Sequence, residues 1–390
     1  MSLPTVAELM RAAELETALD DWALDHVGTP ERLLTTFVDD LNRTSSLHAR
    51  GEERFYRLLM DILTSRLKYV ADRKRHAGWR EEKVEAPIFI LGLPRSGTTF
   101  LHNLMGADPL SRAPRLFEMH YPSPRADDPR ARGLREKKCQ ERLGDLGLLD
   151  EDWLGVHPMG ANRAEECLFI WELFLASATF TALAELPTYQ DVLFQQDFRA
   201  IYREQRDFLK YLQHGLSPRR WVLKTPLHVR FLEEIIEVFP DAMFVHCHRD
   251  TAKTYPSIAN MAAVLRSKFA PLAPSAKSIV GDYDDTWEKA LEFRRRPGMA
   301  ERFVDVRFLD FRADPIGTVR SIYDRLGLDF SDDRAAAMEA WLASDATERS
   351  GRTHHQYSLA DIGMTEGDID RLTGDYLLAF DVPLERQGAV

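Results

Sequence analysis

A chain of 390 residues with 44% hydrophobic and 29% charged positions has the makeup of an ordinary globular protein, long enough for one large α/β domain with an added subdomain or for two modest ones. Its formal net charge of −11 excludes a general nucleic-acid binder and a ligand for anionic membrane surfaces, since neither gains from a negative protein field. Three scattered cysteines, Cys139, Cys167 and Cys247, are too few for a disulfide framework or a zinc site and fit free thiols in a reducing compartment.

The opening residues, MSLPTVAELMRAAELETALDDW, carry acidic groups and no continuous apolar core, so they do not form a secretory signal. Residues 1–85 read as a helical segment packing on the rest of the chain. Thr29-Pro30-Glu31 marks one helix start. From Phe55 the apolar positions Leu58, Leu59, Ile62, Leu63, Leu67 and Val70 recur at intervals of three and four, which gives a long helix one face to bury. Arg73, Lys74 and Arg75 read as its solvated flank, and the segment ends at Gly78.

Residues 88–103, IFILGLPRSGTTFLHN, run from apolar β-formers into a glycine-bracketed loop that opens a helical pattern. This is the build of a phosphate cradle. Gly92 and Gly97 allow tight turning, and the backbone N–H groups of Arg95, Ser96, Gly97, Thr98 and Thr99 can converge on an anion at a helix N-terminus. Pro94 has no N–H to offer. The glycine spacing matches the nucleotide-triphosphate P-loop, yet Thr98 stands where that loop needs its lysine.

Further on, residues 122–133, PSPRADDPRARG, read as a loop, either a surface excursion or part of a mobile cover over a binding site. Cys167 to Leu183 is an apolar stretch of about 17 residues, near the lower limit for a bilayer span, but Glu172 interrupts it and a buried helix is expected. Helical patterns fill most of 164–214 and close at Gly215; strands near 221–225, 243–248 and 303–309 follow with helices between them. That alternation predicts a parallel sheet covered by helices on both faces.

The loop PRSGTT, together with WVLKTPLH at 221–228 and MFVHCHRDTAKTYPS at 243–257, resembles the sulfotransferase family in order and spacing, and the likeness runs from about residue 86 to 363. The resemblance implies a P-loop-like α/β domain over 86–390, with 3′-phosphoadenosine 5′-phosphosulfate (PAPS) as donor, adenosine 3′,5′-bisphosphate (PAP) as product, and no metal. It implies that Arg95 and the residues up to Thr99 hold the 5′-phosphosulfate, that Arg249 and Ser257 hold the 3′-phosphate, and that Lys224 bridges the leaving oxygen and the sulfuryl group. Both Lys224 and Arg249 end apolar strands, so their side chains leave the carboxyl edge of the sheet, where open α/β sheets bind ligands. Asp250 reads as an N-cap turned toward backbone amides. Pro256 should perturb a helix running through Ser257.

In the cytosolic small-molecule branch of that family a histidine two residues after the lysine serves as base; the matching residue here is Pro226, which cannot take a proton. The tyrosylprotein and heparan N-sulfating branches use a glutamate beyond the helix that follows the loop, and Glu118 lies at a comparable distance. His228, His120, Glu165 and Glu166 stay open as alternatives. The resemblance also sets Phe308, in VDVRFLDF, where the family carries a tyrosine near the adenine, and Arg352, in SGRTHHQYSLADIG, in the late loop over the 3′-phosphate. His354 and His355 are either acceptor-side or merely exposed. His246 and His248 share a strand face suited to a metal, but no carboxylate or cysteine at ligand spacing accompanies them, and a structural pair is expected.

The resulting expectation is a cytoplasmic PAPS-dependent sulfotransferase that moves a sulfuryl group to a hydroxyl or amine of a small molecule by in-line displacement, without a nucleic-acid partner or integral membrane anchor. Phe169, Trp171, Phe174 and Phe180 would either line an apolar acceptor pocket or belong to the core. Two other classes stay in view. A P-loop NTPase or nucleotide kinase is disfavoured by the missing lysine, and a non-catalytic nucleotide-binding protein on the same fold is left open by the unassigned base. Neither the acceptor nor the oligomeric state is legible.

Overall fold

The computed structural model describes residues 3–43, 46–124, 129–217, 219–271, 286–349 and 357–386. The chain divides into two compact units, one made of residues 1–84, 114–217 and 262–273, the other of 85–113, 218–261 and 274–390. Within the first unit the chain returns after residue 113 to the helices it began with, and the apolar face of the helix Ala49–Arg75 is covered by later helices of the same unit.

That unit is helical in its described residues apart from isolated bridges at Leu24 with Gly28 and Arg115 with Ala164. Phe55, Leu58, Leu59, Ile62, Leu63, Leu67 and Val70 are buried as the periodicity requires, and Phe37 meets Phe55, Phe180 and Tyr189 ring to ring. Arg73 departs from its expected solvated place. It is 3% exposed, pairs with Glu204 and Asp25, and lies over the Trp79 ring at 4.4 Å, since a guanidinium can be buried once carboxylates and an aromatic face replace its water. The stretch from Cys167 to Leu183 is two helices, Leu168–Leu173 and Thr179–Leu183, broken at Leu175, whose φ is 57°. Buried Glu172, in the first of them, accepts from Arg142 Nη2 at 2.8 Å and from Thr179 Oγ1 at 2.8 Å. The helix Pro129–Leu146 begins inside the expected loop 122–133, its proline tolerated in the first turn. Among the described residues no helix is long and apolar enough to cross a membrane.

The second unit holds a five-stranded, wholly parallel sheet: β1 (Ile88–Gly92), β2 (Ser111–Arg112), β3 (Arg220–Lys224), β4 (Met243–His248) and β5 (Phe303–Arg307), in the order β2-β3-β1-β4-β5. Alternation along each strand divides the side chains between two faces. Ile88, Ile90, Val222, Val245, Cys247, Val304 and Val306 pack with Leu101, Leu104, Met105, Val319, Ile322 and Met338, so the helices Thr98–Gly106, Pro315–Arg325 and Asp332–Arg349 cover one face. On the other face Phe89 meets His228, Phe239 and Phe244, and Phe244 meets Phe293. The last strand is shorter than expected, because Phe308 opens the helix Phe308–Ala313.

Candidate functional site

β1 delivers the chain to the glycine loop at the centre of the sheet. Gly92 has φ 132°, and a Cβ there would lie 2.4 Å from the carbonyl oxygen of Cys247 on the neighbouring strand, so only glycine lets the two strands pair up to the loop. Arg95 adopts φ 70°, an uncommon left-handed conformation for a side-chain-bearing residue, of the kind that collects at ligand sites. The loop N–H groups do not all point outward. Ser96 turns both its N–H, at 3.3 Å, and its Oγ, at 2.7 Å, onto the Leu93 carbonyl and so braces the turn from within. Thr98 and Thr99 begin the nine-residue helix Thr98–Gly106, whose first N–H groups have no acceptor within the helix and carry the positive end of its dipole.

Two of the predicted residues adjoin this loop through long-range bonds. Arg95 Nε donates to Ser257 Oγ at 2.9 Å, across 162 residues of sequence. Arg249 Nη1 donates to the Arg95 carbonyl oxygen at 3.0 Å, and its guanidinium lies over the Phe308 ring at 3.8 Å from the centroid. A Cβ on Gly97 would reach 3.1 Å from that same ring, so Gly97 makes room for Phe308 between the loop and Arg249. Asp250 accepts from the Ala252 N–H at 3.0 Å and caps the helix Thr251–Ser267. That helix runs through Pro256, which has no N–H to give to its hydrogen-bond ladder. Lys224 ends β3 fully buried, and its Nζ donates to Thr99 Oγ1 at 3.1 Å. Arg95, Thr99, Lys224, Arg249 and Ser257 thus meet at the carboxyl edge of strands β1, β3 and β4.

The base candidates sit in different surroundings. Glu118, half-buried in the helical unit, is in the short helix Leu116–His120, where its carboxylate accepts from the Arg115 N–H at 3.0 Å. His228 is completely buried with its ring against the edge of Phe89; burial, then the neighbouring His102 and Lys224, holds its pKa well below the usual histidine value. It is therefore neutral at pH 7 but shielded from solvent. His120 is likewise buried and kept neutral by desolvation, and Glu165 is buried against His157 at 3.0 Å. Trp171, Phe174 and Phe180 are core residues, 1%, 2% and 0% exposed. Arg352, His354 and His355 lie outside the described residues.

Sequence reasoning missed two neighbours of these groups. Asp305 on β5 brings a carboxylate to His246 and His248, the three offering ligand atoms within 4.8 Å of one another. The Arg294 guanidinium already serves this cluster, donating to His246 Nδ1 at 3.0 Å and to both Asp305 oxygens at 2.8 and 2.9 Å. A metal ion would have to displace it. Glu385 takes Arg249 Nε at 2.8 Å and Nη2 at 3.0 Å in a bidentate pair. No periodicity or motif links positions 136 apart in sequence.

A model of the sulfotransferase family matches residues 87–332, more than half of the chain. Proteins named omega-hydroxy-beta-dihydromenaquinone-9 sulfotransferase Stf3, from Mycobacterium bovis and Mycobacterium tuberculosis, are each 28% identical over 259 residues, which is 63% of this chain and 63% of theirs. The match therefore spans less than two thirds of those relatives. The crystal structure of sulfotransferase STF1 from Mycobacterium tuberculosis H37Rv superposes with a TM-score of 0.82 at 28% identity, covering 96% of this chain and 99% of that one. Sulfotransferase STF9 from Mycobacterium avium gives 0.84 at 25% identity, covering 99% of both.

Proposed function

The chain belongs to the sulfotransferase family, and from that premise we propose that it transfers the sulfuryl group of PAPS to the hydroxyl of a small hydrophobic acceptor by in-line displacement. One observation carries the reading: Arg249 bonds to the backbone of Arg95 while Arg95 bonds to Ser257, so that the residues proposed for the two anion seats of a 3′,5′-substituted nucleotide are joined at one sheet edge. A chain with net charge −11 can attract a polyanion only where cations are concentrated, and here three converge.

In this reading the amides at the start of the helix Thr98–Gly106 and the Arg95 side chain receive the 5′-phosphosulfate, and Arg249 with Ser257 receives the 3′-phosphate. Sulfuryl transfer breaks the bond between sulfur and the phosphate oxygen as the acceptor oxygen bonds to sulfur. Negative charge grows on the departing phosphate, so catalysis rests on position and electrostatics, as in phosphoryl transfer. Lys224, pinned by Thr99, would meet that charge with its ammonium in a site already dry, where the interaction is strongest. The acceptor proton passes to a base, for which Glu118 is our candidate, with His228 second. The likeness to relatives named for a hydroxylated menaquinone supports a lipid-like alcohol as acceptor. Three buried free cysteines are compatible with a cytoplasmic setting.

Ligand-induced thermal shifts test the proposal. Stabilisation by PAP and not by ADP or ATP is expected, and the reverse order would favour a nucleoside-triphosphate enzyme. PAP binding without sulfate transfer from PAPS to any member of a broad panel of alcohols, phenols and amines would leave only a nucleotide-binding protein.

A further inference from the structure

The guanidinium assigned to the 3′-phosphate is already engaged through Nε, both Nη atoms and one face. Its Nε and Nη2 edge, the one that offers a carboxylate or phosphate two parallel hydrogen bonds, holds both oxygens of Glu385. Its Nη1 donates to the Arg95 carbonyl, and the Phe308 ring covers one face. The pair is largely sheltered, with the Arg249 and Glu385 side chains 18% and 11% exposed. Nor is Glu385 there by a lone contact. Its backbone N–H donates to the buried Asp250 Oδ2 at 2.8 Å, and the next residue, Arg386, sets its Nε 3.6 Å from the same oxygen and its Nη2 2.6 Å from Asp370. The residues following the helix Glu366–Ala379 are thus anchored so as to deliver a carboxylate to Arg249.

We propose that Glu385 is an intramolecular competitor for the 3′-phosphate seat: nucleotide binding displaces its carboxylate from Arg249, and its return helps expel the product. This rests on the assignment of Arg249 to the 3′-phosphate made above. A phosphate monoester carries up to two charges and three acceptor oxygens against one charge and two oxygens, so it wins the guanidinium when a nucleotide is held by its other end as well. A simple inorganic anion, with no second attachment, does not. The competition lowers apparent affinity by the fraction of time the seat is open. If Glu385 closes it for all but about a tenth to a fifth of the time, PAP binds about 5- to 10-fold more weakly than to an open seat. Anchoring through Asp250 and Arg386 keeps the carboxylate close enough to re-bind as soon as the phosphate leaves.

Calorimetric titration of PAP and of adenosine 5′-monophosphate into the wild type, Glu385→Gln, Arg249→Ala and the double variant tests this. Glu385→Gln, nearly the same shape without the charge, should tighten PAP about 5- to 10-fold and leave the monophosphate within twofold. Arg249→Ala should weaken PAP more than tenfold, and in that background the Glu385 substitution should have no effect. If Arg249→Ala weakens PAP while Glu385→Gln binds it no tighter than wild type, the competitor role is overturned and the donor seat stands. PAP affinity that ignores Arg249→Ala would overturn the seat itself.

Discussion

Replacing Lys224 by Met removes the ammonium and keeps a stem of similar length and volume. Lys224 is 0% exposed and its Nζ lies 3.1 Å from Thr99 Oγ1, so the substitution takes one donor from Thr99 and puts a thioether where a charge was buried. Losing that hydrogen bond costs about 1 kcal/mol, and removing a desolvated charge offsets part of it, so the protein stays folded. The effect on chemistry should be larger. Charge on the leaving phosphate grows only as the sulfur–oxygen bond breaks, and removal of one preorganised donor to a developing anion costs about 2.7–4 kcal/mol, or about 10²–10³ in rate. Because PAP presents a finished phosphate and not a transition state, its affinity should fall far less, by about tenfold or under. The assay pairs single-turnover transfer from PAPS, followed by mass spectrometry with a hydrophobic alcohol as acceptor, with calorimetry on PAP. Equal factors lost in turnover and in PAP affinity would refute the argument and leave Lys224 a binding residue. Unchanged turnover would remove it from the reaction.

Glu118→Gln should cut turnover by about 10² or more with PAP affinity within twofold, if Glu118 is the base; full activity would move the base to another residue. Gly92→Ala places a Cβ 2.4 Å from the Cys247 carbonyl in a backbone with φ 132°, and strain plus forced displacement should destabilise the sheet unit by about 2–4 kcal/mol and abolish PAP binding. A denaturation midpoint equal to wild type would show that β1 and β4 can part there without cost. His228 and His246 have pKa values held well below the usual histidine value, first by burial. They stay neutral in the fold, while the unfolded chain takes up a proton on each near pH 6.5, so stability is retained above that pH and lost below it, by about 1.4 kcal/mol per pH unit for each group. Melting temperature should therefore fall steadily from pH 7 to 5.5, and a flat profile would contradict the burial argument.

The elements that gather around the glycine loop are legible in the sequence because their parts are local. A strand, two glycines, a proline and a helix start lie within residues 88–103, and Arg249 and Ser257 stand eight positions apart at the end of one strand and in the helix after it. Even there the reading had gaps. The inward turn of Ser96 onto Leu93 depends on the loop conformation, and Phe308, expected in a strand, starts a helix with its ring beside Gly97 and under the Arg249 guanidinium. Arg73 looked like a solvent-facing charge until Glu204, far along the chain, supplied its partner.

Short-range chemistry alone decided that the chain makes a glycine-turned loop at a helix start without the lysine of a triphosphate site, since backbone torsions and missing N–H groups are properties of adjacent residues. Which charges face one another was settled by packing. Arg95 reaches Ser257 and Lys224 reaches Thr99 because parallel strands pair in the order β2-β3-β1-β4-β5, while Glu385 reaches Arg249 through the residues after the helix Glu366–Ala379, and the three bonds join groups 125 to 162 residues apart. No local pattern encodes such a pairing, because the free energy that selects it comes from burying both faces of the whole sheet.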